Sequence, residues 1–81
     1  MRIAIIGCGN MGTGLAQQLS PFHQLFLSDR NEARTQELAQ KVKGEACQTP
    51  LQAIENAELI FLAVKPQNLK EISLQLAPHL K

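Results

Sequence analysis

Residues 7–12 read GCGNMG, which sets Gly7, Gly9 and Gly12 in the spacing G-x-G-x-x-G. Backbone this bare is suited to holding an anion. Gly7 permits a tight turn, Gly9 has no Cβ to keep a pyrophosphate at a distance, and Gly12 lets a following helix pack close to a sheet. A helix that starts here offers unpaired N–H groups and the positive end of its dipole to phosphates. Asn10 and Met11 belong to the same loop. Asn10 is also placed to cap the helix, and Met11 to form an apolar shelf beside a cofactor or to join the core. Gly14, one turn further on, is expected to extend the close packing. The pattern alone carries little; it gains force where a strand precedes it and a helix follows. The plain alternative is a tight strand-to-helix turn that binds nothing.

A second group is Ser28, Asp29 and Arg30 in SDRN. In dinucleotide-binding folds an acid about 20 residues beyond the glycines holds the ribose 2′-OH, and an Arg nearby accommodates a 2′-phosphate instead. Asp29 favours NAD; Arg30, with its planar fork of donors, favours NADP; Ser28 is a further phosphate donor. Both cofactors stay open on these residues, as does a purely structural role in which Asp29 and Asn31 cap the next helix. A third group is Ala63, Val64, Lys65 and Pro66 in LAVKPQN. Ligands of open α/β sheets lie across the carboxyl ends of the strands where the strand order reverses, so these four residues are expected to face the glycines across one crevice. Lys65 either neutralises a phosphate or points to water. Pro66, lacking an N–H, suits the exit from the sheet.

The elements that must position these groups are legible in the hydrophobic pattern. RIAII (2–6) and LIFLAV (59–64) are apolar runs suited to strands covered on both faces; QLFLS (24–28) is a third strand and EACQ (45–48) a weak edge strand. MGTGLAQQL reads as a helix, with Pro21 just beyond it. EARTQELAQKV (32–42) places Leu38, Ala39 and Val42 at helical spacing, and Gly44 is its expected stop. Thr49, Pro50 and Gln52 are the cap, first-turn proline and capping-box residue of a short helix. NLKEISLQLAPHL puts Leu69, Ile72 and Leu76 on one face of a last helix, which Pro78 breaks. The alternation predicts a single α/β domain over residues 1–81, a Rossmann-like parallel sheet with flanking helices, truncated before its later strands. In that arrangement the first strand and LIFLAV flank the switch point.

Composition narrows the function. Eighty-one residues with a net charge of +1 and three aromatics, all Phe, provide neither the basic field nor the stacking surface of a nucleic-acid binder. LIFLAV is far shorter than the ~20 apolar residues that cross a bilayer, and IAII is too short for a secretory signal. Cys8 and Cys47 are distant and form no CxxC, which suits free thiols in a reducing compartment, so a cytoplasmic location is expected. Cys8 reads as a small packing residue, with a reactive thiol near a helix start as the alternative. His23 and His79 are isolated, and no cluster has metal-ligand spacing.

IAIIGCGNMGTGLA together with LIFLAVKPQ resembles pyrroline-5-carboxylate reductase. The resemblance runs over essentially the whole chain but only the N-terminal part of that family's length. Related families share such a glycine loop, among them 6-phosphogluconate and 3-hydroxyacid dehydrogenases and deazaflavin-dependent NADP reductases; the AVKPQ turn favours the reductase. The resemblance implies hydride transfer from NAD(P)H to a cyclic imine in proline biosynthesis. It assigns Gly7, Gly9, Asn10, Met11 and Gly12 to the pyrophosphate, and Ser28, Asp29 and Arg30 to the adenosine ribose. Ala63, Val64, Lys65 and Pro66 run towards the nicotinamide, and Asn56 also approaches the nucleotide. NADPH is that family's usual cofactor. The chain stops at APHLK, before a further strand and the C-terminal helical domain of the family, so hydride transfer by these residues alone is not expected. The other readings are the cofactor domain of a related NADP-dependent oxidoreductase, a nucleotide-binding module without catalysis and an interaction piece. LIFLAV, left near a sheet edge, leads to the expectation of self-association.

Overall fold

In the computed structural model, which describes residues 1–55 and 57–79, RIAII forms a strand, β1 (Arg2–Ile6), buried from Ile3 onward. The chain continues through α1 (Asn10–Leu19), β2 (Gln24–Ser28), α2 (Glu32–Val42), β3 (Glu45–Ala46), α3 (Pro50–Glu55), β4 (Leu59–Leu62) and α4 (Pro66–Leu76), closed by a 3-10 turn over Ala77–His79. The strands form one parallel sheet in the order β3-β2-β1-β4. Ile3 lies opposite Leu25 on one side and Leu59 on the other.

Because side chains alternate along a strand, β1 serves two layers at once. Ile3 and Ile5, with Leu25 and Leu27, pack under α1 and α2 through Ala16, Leu38, Ala39 and Val42. Ala4 and Ile6, with Phe26, pack under α3 and α4 through Ala53, Ile54, Ile72 and Leu76. Helices on both faces explain why β1 has no polar alternation. The α3 cap forms as expected, the Gln52 N–H donating to Thr49 Oγ1 at 3.2 Å, but the return bond shifts by one residue: Gln52 Oε1 accepts from the Gln48 N–H at 2.9 Å, not from that of Thr49.

Several local expectations need correction. Asn10 does not cap α1; it is the first helical residue, and the cap position falls to Gly9, which has no side chain to offer the helix amides. Asn31 alone caps α2, its Oδ1 accepting from the Arg34 N–H at 3.1 Å. The left-handed residue that ends α2 is Lys43, at φ 56°, not Gly44. Gly44 sits in a tight space, where a Cβ would lie 3.2 Å from the Leu25 carbonyl oxygen. Gly14 faces open space and packs against nothing. β4 stops at Leu62; one further bond, from the Ala63 N–H to the Ile6 carbonyl at 2.8 Å, extends the ladder before Gly7 turns β1 away. α4 starts earlier than the pattern suggests, at Pro66, and its Leu69 stays exposed in the first turns, ahead of the packed Ile72 and Leu76.

Candidate functional site

β1 has β2 on one side and β4 on the other, so the chain reverses its winding between β1 and β4. Such a point opens a crevice at the carboxyl ends of the strands. Here it is a cleft of about 370 Å³ lined by Gly7, Gly9, Ser28, Asp29, Arg30, Ala63, Val64 and Lys65. Eight of the residues singled out in the sequence therefore meet in one place.

Three glycines do three different things there. Gly7 adopts φ +106°, and a Cβ on it would lie 2.5 Å from the Ala63 carbonyl oxygen and 3.1 Å from Val64 Cγ1. Its N–H donates to the Ser28 carbonyl at 2.7 Å, so the turn is clasped between the ends of β2 and β4. That close approach to β4 is a demand beyond the tight turn expected. A Cβ on Gly12 would run into the Gly7 carbonyl group, 2.9 Å from its carbon, which is the close helix–sheet contact expected. Gly9 meets nothing within 4 Å, so its open side gives onto the cleft. The first backbone bond at this end of α1 runs from the Thr13 N–H to the Gly9 carbonyl at 2.8 Å. The amides ahead of it lie free of that ladder, and no side chain caps them.

Asp29 is only 14% exposed, and its carboxylate is already engaged. Oδ2 accepts from the Cys8 N–H at 2.7 Å and Oδ1 from the Asn31 N–H at 3.1 Å. It thus ties the glycine loop to the start of α2, and Arg34 Nη1 stands 4.0 Å from it. Ser28 is buried at 1% exposure. Cys8 is buried as well, its thiol 3.8 Å from the Ser28 carbonyl. Burial first, then the Asp29 charge, push the thiol up to about 11, against weaker opposing effects of Thr35 and Arg34. A thiol so protonated is a packing group, not a nucleophile.

Other sequence-selected residues stand outside the cleft. Asn10 lines a neighbouring hollow of about 500 Å³ beside α2, with Cys8, Gly9, Thr13, Arg34, Lys41 and Lys65 among its walls. Met11 is exposed on α1 and forms neither core nor cleft wall. Pro66 is the first residue of α4, where a missing N–H costs nothing. Asn56 lies outside the described residues. Sequence reasoning missed Arg34, in the first turn of α2, which lines both hollows; its place just beyond the SDRN group was the available signal. It also missed Asn68, Glu71 and Gln75 of α4, whose distance along the chain gave no signal.

The matched family model is described as NADP oxidoreductase coenzyme F420-dependent, and it spans residues 2–81. The chain belongs to this family. Within its reach, the chain is 34% identical over 99% of its length to pyrroline-5-carboxylate reductase of Pseudomonas aeruginosa, and 43% identical over 86% to that of Pasteurella multocida. It spans 31% and 28% of those proteins, under a third of the length of each. The solved structure of a pyrroline-5-carboxylate reductase from Coxiella burnetii superposes on 98% of the chain with a TM-score of 0.89 at 25% identity, and the chain covers 31% of it. Membership in a pyridine-nucleotide oxidoreductase family accords with a cleft built around bare glycines and an uncapped helix start. Among the described residues no helix is long and apolar enough to cross a membrane.

Proposed function

We propose that this chain is the cofactor-binding domain of an NADPH-dependent reductase of the pyrroline-5-carboxylate type, acting in the cytoplasm. The observation that carries the reading is the open side of Gly9 at the uncapped start of α1, in a cleft otherwise walled by close contacts. Gly7 and Gly12 hold that loop against β4 and α1, so the backbone amides of residues 9–12 are fixed in place to receive the pyrophosphate. When bound, a reduced nicotinamide supplies a hydride, which in the full-length relatives' named activity reduces a cyclic imine. Ala63, Val64 and Lys65 line the cleft beside the glycines, and in this reading they would hold the nicotinamide half.

The choice of NADP rests on Asp29. Both of its oxygens already accept backbone N–H groups, which reduces its capacity to hold a ribose 2′-OH. Arg30 and Arg34 line the same end of the cleft and supply forked donors for a 2′-phosphate. Calorimetric titration of the chain with NADPH and NADH tests this. NADPH binding that is tighter than NADH, and that weakens in Arg30→Ala, is expected; equal or inverted preference contradicts it. Self-association belongs to the same reading. β4 is one of the two sheet edges, with Leu59 and Leu62 uncovered, and a second copy pairing there would cover them. A monodisperse monomer in sedimentation at high concentration contradicts that pairing.

A further inference from the structure

Arg30 and Glu71 meet across the mouth of the cleft. Arg30 Nη2 lies 3.1 Å from Glu71 Oε2, joining the loop after β2 to the middle of α4. Both residues line the cleft. Their side chains are 65% and 73% exposed, so water competes for both and the bridge is weak. A weak bridge in this place is easily exchanged for a better ligand.

We propose that Glu71 tempers the NADP preference of the site by competing with a 2′-phosphate for Arg30. The proposal rests on the reading above, in which the adenosine ribose lies at the end of β2. A 2′-phosphate beside Arg30 competes for the guanidinium, whose Nη2 Glu71 holds. It also brings negative charge against the Glu71 carboxylate, so the bridge must open. A nucleotide with a free 2′-OH makes no such demand and leaves the bridge closed over the ribose end. Glu71 therefore weakens NADPH binding selectively. The other acids of this cleft act differently: Asp29 is held by backbone amides, and Glu32, at the start of α2, makes no ion pair with Arg30.

The test is an NMR titration of backbone amides in the wild-type chain, Glu71→Gln, Arg30→Ala and the double variant, each with NADPH and with NADH. Glu71→Gln is expected to tighten NADPH about two- to five-fold, the most an exposed pair supports, with NADH unchanged. In the Arg30→Ala background the same substitution is expected to have no effect. Three results overturn the role of Glu71 while leaving the cofactor site standing: no change, an equal change for both nucleotides, or a gain that persists without Arg30. Absence of shifts at the glycine loop with either nucleotide in every variant overturns the site itself, and the proposal with it.

Discussion

A methyl group added to Gly12 and one added to Gly9 have opposite expected consequences. On Gly12 it collides with the Gly7 carbonyl group inside the packed junction of β1 and α1, and Gly12→Ala is expected to cost about 3 kcal/mol in chemical denaturation. On Gly9 it meets open space in an ordinary extended backbone, so Gly9→Ala is expected to fold as the parent does. The G-x-G-x-x-G spacing made both positions legible, because each physical demand falls on a residue type with no substitute. Cys8 shows the limit of that legibility. Its place between two glycines left packing and reactivity open, and only its burial beside the Asp29 carboxylate decides. Cys8 is expected to resist alkylation at pH 8 until the chain unfolds. An unfolded thiol ionises near pH 9 and the folded one near 11. The unfolded state therefore loses its proton first, and the Cys8 contribution to stability is constant below about pH 9 and declines as pH rises towards 11. A stability profile that rises over that interval contradicts the assignment.

Elements were read well where one signal dominated. β1, β2 and α2 have the boundaries the pattern indicates, since β1 runs straight into Gly7 and β2 and α2 are bounded by polar residues. Ends were read less well because tertiary contacts place them. β4 ends where β1 turns away at Gly7, and nothing in LIFLAV reports that turn. At the end of α2 the glycine suggests a left-handed stop, but Lys43 takes that conformation, and Gly44 follows it in a tight space against Leu25. Lys43 has a Cβ in a region that disfavours one. Lys43→Gly is therefore expected to stabilise the chain by about 0.5–1 kcal/mol in thermal or denaturant unfolding; a loss of that size contradicts the backbone assignment.

At the scale of the molecule, the strand order β3-β2-β1-β4 converts three separate stretches of sequence into one cleft. The βαβ alternation with a glycine loop after the first strand made this order legible, because an open doubly wound sheet reverses its strand order beside that strand. The contribution of α4 was not legible. Glu71 reaches Arg30 only through the way α4 packs on the sheet with Ile72 and Leu76, and a helical stripe says nothing about what its polar flank will meet. Asn10 and Met11 show the converse: they lie in the motif, yet neither lines the cleft. What binds there, by this reading, is backbone held in place by Gly7 and Gly12. The most direct measurement is therefore NADPH titration of the wild-type chain and Gly9→Val, followed by amide NMR, with thermal unfolding as the check on folding. The expected result is a folded Gly9→Val whose spectrum NADPH no longer perturbs, beside a wild type whose shifts centre on residues 7–12 and 63–65. A folded Gly9→Val that binds as the wild type does contradicts the assignment of this cleft to the dinucleotide.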